Sequence, residues 1–326
     1  MNRITPKTMS VAVRAAALLF VFTVGVALAT SGDAWAKRHS AASLADPVAT
    51  ATITTCGTYT GVSGNPTIYL VTQDITTSST GNCITLGGSD NTLALQGHNI
   101  TGPGSGTSRG DGIVIQSFAN DDVIEGGGGI ISGFAVGVFD KGSNTVGDAV
   151  EASENGIGME LTGGTVMWTN VNSTNNTAQG IYLNGCSDEC GISDFNAGSN
   201  GADGVLVIGS EAPRISVFFA TDNGGAGVHV GCASDCDDNS EVNVSDAVMA
   251  IPSVTGNKGD GIFLDASESN NKDKVYLVSA RGNGVTSGSD LHDATSTCGL
   301  NQWVTNDYVT AKAGGVTSPS CIPLGF

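Results

Sequence analysis

Asn176-Thr177-Ala178-Gln179-Gly180-Ile181 recurs three times further along the chain. The copies are Asn200-Gly201-Ala202-Asp203-Gly204-Val205, Asn223-Gly224-Gly225-Ala226-Gly227-Val228 and Asn257-Lys258-Gly259-Asp260-Gly261-Ile262. The first three copies lie 24 and 23 residues apart, and the fourth follows after 34. A unit this short buries no core alone, so its apolar face must pack on the units before and after it. The signature Asn-x-x-x-Gly-(Ile/Val) therefore decides the fold.

Working outward, Gly-(Ile/Val) pairs recur at Gly112, Gly137, Gly156, Gly180, Gly204, Gly227 and Gly261. Ahead of the signature asparagines, apolar pairs move in step: Trp168/Val171, Ile192/Phe195 and Ile215/Phe218. Each unit thus holds at least two short strands, separated by a turn that carries Asn and Gly. Asn tolerates left-handed backbone angles, and Gly permits a sharp corner before the next strand. Composition agrees, with 47 glycines among 326 residues, aromatics at 6% and few helix formers. The leucine-rich consensus is absent, and glycine has no three-residue period. The expected fold is an all-β, single-stranded parallel β-helix (a solenoid) of about 8–9 coils, with strands stacked ~4.8 Å apart.

The chain is expected to divide into four parts. Residues 1–36 read as a signal peptide: Arg3, Lys7 and Arg14 precede an apolar run from Ala15 to Ala29, and Ala34-Trp35-Ala36 has the small-x-small form of a cleavage site. An uncleaved anchor is the alternative. Residues 37–55 read as a linker or N-terminal cap, 56–297 as the solenoid and 298–326 as a disulfide-closed C-terminal cap. Without residues 1–36 the chain keeps 10 basic and 30 acidic residues, a net of −20. Such a surface repels nucleic acid and anionic lipid, and it disfavours polyuronates unless a divalent cation bridges the charges. The expected location is secreted or periplasmic.

All eight cysteines lie beyond residue 36 in four sequence-local pairs, read as disulfides: Cys56–Cys83, Cys186–Cys190, Cys232–Cys236 and Cys298–Cys321. The two Cys-x-x-x-Cys pairs admit zinc as an alternative. Two coils of separation place them roughly 9–10 Å apart, too far for four thiolates to share one ion.

The signature repeats, together with Leu95-Gln96-Gly97-His98-Asn99-Ile100-Thr101-Gly102, resemble the pectin-lyase-like right-handed β-helix family. The tail, with Asp290-Leu291-His292-Asp293, Cys298-Gly299-Leu300-Asn301-Gln302-Trp303 and Cys321-Ile322, is similar to bacterial secreted members. The resemblance spans residues 56–322 and implies right-handed coiling. It leaves function open, because the superfamily holds lyases, hydrolases, epimerases and non-catalytic proteins. The hydrolase motifs it would imply are not reproduced: Gly97-His98 lacks a following glycine, and Arg214-Ile215-Ser216 lacks the lysine.

Alternation along each strand predicts which residues point outward. Taking each Gly-(Ile/Val) apolar residue as inward, the next one gives the row Val114, Phe139, Gly158, Tyr182, Leu206, His229 and Phe263. The following outward row is Gln116, Lys141, Glu160, Asn184, Ile208, Gly231 and Asp265. Rings in a chain poor in aromatics make the first row a candidate ligand platform, with Phe139, Tyr182, His229 and Phe263 as its binding residues. A row covered by its own loops is the alternative. In the second row Glu160 and Asp265 stand four coils apart, so the face lacks the carboxyl pair of a glycosidase. His229 has no acid assigned to orient it, and His98 and His292 read as structural.

The long interval before Ile262 carries Asp235, Asp237, Asp238 and Glu241. These make a weak calcium candidate, with a solvated acidic loop as the alternative. No other cofactor is expected. The functional expectation is a non-catalytic exported protein that binds a polysaccharide or cell-surface partner along the outward row. The alternatives are a polysaccharide lyase, glycoside hydrolase or epimerase with loop-borne residues, and a structural surface rod.

Overall fold

The computed structural model describes residues 49–61, 66–106, 109–186, 190–210, 213–231, 243–245, 253–265, 273–286, 288–294, 298, 301–314, 316–317 and 319–323. The expected signal peptide, the Cys232–Cys236 pair and the acidic residues Asp235, Asp237, Asp238 and Glu241 lie outside the described residues. Among the described residues there is no helix.

The fold is a parallel β-solenoid with three strands in a typical coil, one more than the minimum of two read from the sequence. One coil runs through Ile157–Leu161, Val166–Thr169 and Asn172–Thr174. The first strand belongs to a 12-stranded sheet, which we call the signature face. The other two belong to a 19-stranded sheet that folds over the second and third faces. Two eight-residue strands, Gly191–Gly198 and Arg214–Thr221, join those faces. The first of them pairs with both Val166–Thr169 and Asn172–Thr174, and it bends at Asp194, where φ is +51°. All pairings are parallel except the last on the signature face, Ala311–Ala313 with Val316–Thr317. The stack begins earlier than Cys56, because Ala49–Ile53 pairs in register with Thr67–Val71.

Inside, like residues stack on like. Ile113, Val138, Met159, Ile181, Val205, Val228, Ile262 and Leu291 form one fully buried column. Two carboxylates interrupt the aliphatic column beside it. Asp140 accepts from Trp168 Nε1 at 3.0 Å, from the Gly142 amide at 2.9 Å and from Thr145 at 3.3 Å. Asp293 accepts from Trp303 Nε1 at 3.2 Å. A buried carboxyl is tolerated here because donors surround it. Desolvation still pushes the Asp140 pKa up to about 6. Among the described residues, three disulfides close local loops: Cys56–Cys83, Cys186–Cys190 and Cys298–Cys321.

The signature asparagines stack into a ladder at the corner that leads onto the signature face. Asn200 Oδ1 accepts from the Asn176 backbone amide at 3.1 Å and from Asn176 Nδ2 at 3.0 Å. Asn200 Nδ2 in turn donates to Asn223 Oδ1 at 3.0 Å and back to the Ser173 carbonyl at 3.1 Å. The pattern runs through Asn155, Asn176, Asn200, Asn223, Asn257 and Asn283. It ends on Asp290, which accepts from Asn283 with Oδ1 and from the Val309 and Thr310 amides with Oδ2. A terminal acceptor between two sets of donors calls for a carboxylate rather than an amide.

This geometry revises the roles read from the sequence. The left-handed residue is the one before each ladder asparagine: Glu154, Asn175, Ser199 and Asp222 have φ of 57–58°, and Gly256 and Gly282 complete the set. The signature glycine is needed for close approach. A Cβ on Gly204 would meet Asn223 Nδ2 at 2.6 Å and the Gly227 carbonyl at 2.7 Å.

A candidate ligand-binding face

The strand register fixes the outward row of the signature face. Pairing runs Thr85, Val114, Phe139, Glu160, Tyr182, Leu206, His229, Phe263, His292 and Lys312, one residue per coil. Phe139, Tyr182, His229 and Phe263 therefore do share one row. One position differs from the sequence reading. Ile157 pairs with Val136, and Met159 is the residue that aligns with Val138. The repeat thus sits at Gly158-Met159, two residues later, so Glu160 replaces Gly158 in the first row and leaves the second. The cause is a shorter corner: only two residues separate Asn155 from Gly158, against three in the other copies.

The row is half-buried, and its members cover one another. Val114 and Leu206 are buried, while the rings between and beyond them are partly open. Lys141 Nζ lies 3.9 Å above the Phe139 ring, a cation–π contact. Asn184 Nδ2 donates to Glu160 Oε1 at 3.3 Å. Burial raises the Tyr182 phenol pKa, and the charge of Glu160 adds to the rise. Burial also raises the Asp111 carboxyl, with Lys141 opposing that shift and Glu160 reinforcing it.

Further along, three rings form a stack. The Phe263 centroid lies 4.8 Å from His229 and 4.9 Å from His292, tilted by 41° and 37°. Each imidazole faces an aspartate from the preceding coil. His229 Nδ1 is 3.2 Å from Asp203 Oδ2, and His292 Nδ1 is 2.9 Å from Asp260 Oδ2. The other oxygen of each carboxylate accepts a backbone amide, from Ala226 at 2.6 Å and from Ser289 at 2.6 Å. Nδ1–H therefore donates to the carboxylate, which sets the tautomer and turns each ring. His229 Nε2 is buried with no hydrogen-bond partner and lies over Gly231.

His229 thus has the orienting acid that the sequence did not supply, and His292 belongs to the row rather than to the tail alone. Both aspartates stand immediately before a position that opens a signature-face strand, Gly204 and Gly261. The histidine in each case follows one coil later. That paired offset is the sequence signal that locates them. His98, by contrast, stays in its turn, 3.5 Å from Asp74 and away from the row.

A comparison of folds gives two structures with strong overlap. The Dettilon tailspike protein aligns with TM-score 0.63 and 17% identity over 81% of this chain and 55% of that one. The A-module of the Azotobacter vinelandii mannuronan C-5 epimerase AlgE6 aligns with TM-score 0.52 and 12% identity, over 82% and 87%. The fold shared with both is a right-handed parallel β-helix. At these identities the likeness speaks for the fold alone, and this chain spans about half the length of the tailspike. No family model matches the sequence, and no curated relative does.

Proposed function

We propose that this β-helix is an exported protein that binds a polysaccharide along the outward row of its signature face. The observation that carries the reading is the unbroken line Phe139, Glu160, Tyr182, Leu206, His229, Phe263 and His292, one residue per coil. Coils advance ~4.8 Å, close to the advance of an extended pyranose chain. Rings offer apolar faces to sugar C–H groups, and Glu160, Asn184 and Lys141 offer hydrogen bonds at the edge. The names of the structural neighbours, a tailspike and a mannuronan epimerase, are compatible with a glycan ligand. Three disulfides fit an oxidising compartment outside the cytoplasm. A double change, Tyr182→Ala with Phe263→Ala, is expected to abolish signal on a glycan array. Undiminished binding would remove this face from consideration.

A second reading, a polysaccharide-modifying enzyme, is favoured by the carboxylate-oriented imidazole of His292, since Nε2 of His229 is buried. An imidazole with Nδ1–H held by an acid presents Nε2 as a base. Release of reducing ends or unsaturated products from a polysaccharide panel, lost in His292→Ala, would establish it. A clean panel would leave the binding reading alone.

A further inference from the structure

Resting on the binding reading above, we propose that the row takes a cationic glycan, one bearing ammonium groups such as an amino-sugar polymer. The chain itself supplies the first piece of support. The Lys141 ammonium already sits on a ring of this row, 3.9 Å above Phe139. It lies close enough to the Asp111 carboxylate to oppose the rise of that group's pKa. A ring face plus a nearby carboxylate is the composition that holds an ammonium in partly desolvated surroundings.

That composition recurs along the row without a lysine to fill it. Tyr182 lies directly beside Glu160 in the pairing register. Phe263 lies between the Asp203–His229 and Asp260–His292 pairs, and Asp265 follows it on the same strand side. Among the described residues of the signature-face strands, and the positions directly after them, the lysines stand at the two ends, Lys141 and Lys312. Arg109 and Lys258 lie in the corners that precede strands. Asp203 and Asp260 stand in corners of the same kind, so the interval between the end lysines holds the carboxylates of Glu160, Asp203, Asp260 and Asp265 against the one lysine Lys258. Such a stretch attracts positive charge and repels a polyuronate.

The test is titration calorimetry of the folded protein at pH 8 with three hexasaccharides. These are chitohexaose with its amines trimethylated, which fixes the charge, N-acetylated chitohexaose, which is neutral, and hexagalacturonate. The expected result is at least about tenfold tighter binding of the cationic oligomer than of the neutral one at low salt. That advantage should shrink toward unity at high salt and in the Glu160→Gln/Asp265→Asn variant. Equal affinity for cationic and neutral oligomers would overturn the charge assignment and leave the glycan platform standing. Preferential binding of hexagalacturonate would overturn the charge assignment outright. Binding of none of the three would remove the platform, and the assignment with it.

Discussion

The asparagine corner and the outward row of the signature face are a few residues apart in every coil, yet they behave oppositely. The corner is buried and saturated with hydrogen bonds, and the same residue recurs in six consecutive coils. The row is half-open and changes in nearly every coil: Phe, Glu, Tyr, Leu, His, Phe, His. Repetition follows from necessity. Each corner faces the same amides above and below, so any substitute strands buried donors. The row owes the fold only its backbone pairing, so its side chains are free to serve something else. Variation along a regular scaffold is therefore where function is sought.

The comparison breaks most visibly at the corner. Asn200→Ala removes the acceptor of two Asn176 donors and the Nδ2 donor to the Ser173 carbonyl and to Asn223 Oδ1, which keeps only the backbone amide of residue 200. A cost of roughly 3 kcal/mol or more is expected in denaturant unfolding, given about 1–3 kcal/mol for each stranded buried group. Gly204→Ala should act in the same direction, because its Cβ would press on Asn223 and Gly227. If Asn200→Ala unfolds at the wild-type midpoint, the ladder does not hold the stack.

The next effect lies inside the core and depends on pH. The Asp140 carboxyl has a folded pKa raised to about 6 against an ordinary 3.8, through desolvation. The folded state therefore keeps this proton longer than the unfolded chain does. The associated stability is fully present below pH 3.8 and is lost as pH rises through 6, by on the order of 3 kcal/mol. Asp122, also buried and raised to about 6 by desolvation, acts in the same direction, so Asp140→Asn should reduce but not abolish the difference between unfolding free energies at pH 4 and pH 6.5. An unchanged difference would place the pH dependence elsewhere.

The smallest stability effects are expected on the row. Tyr182→Ala and Phe263→Ala should each shift unfolding by about 1 kcal/mol or less, because both rings are already partly open. A loss as large as that of Asn200→Ala would make the row part of the fold's support and erase the contrast.

Most of the fold was legible in the sequence because the corner is so constrained. Four copies of Asn-x-x-x-Gly were enough to give the period, the parallel stacking and the inward parity of the strands. The first-row register was legible wherever the corner kept its length. It slipped at Gly156-Ile157-Gly158-Met159, where two glycine–apolar pairs overlap two residues apart and the shortened Asn155 corner selects the second. Parity survived that slip, so Glu160 was still assigned outward, only in the wrong row. The Asp203–His229 and Asp260–His292 pairs were not read, because their partners come from successive coils 26 and 32 residues apart. Contacts of that kind depend on which coil lies above which, and the coil of His292 opens with Asp290-Leu291 rather than with the Gly-(Ile/Val) pair that marks the others.

The most direct test of the central claim joins both regions in one experiment. Tyr182→Ala/Phe263→Ala and Asn200→Ala are measured side by side for thermal unfolding and for glycan-array binding. The expected result is a row variant that melts close to wild type but no longer binds glycan, beside a corner variant that melts early. A row variant that retains full glycan binding at an unchanged melting temperature would contradict the account.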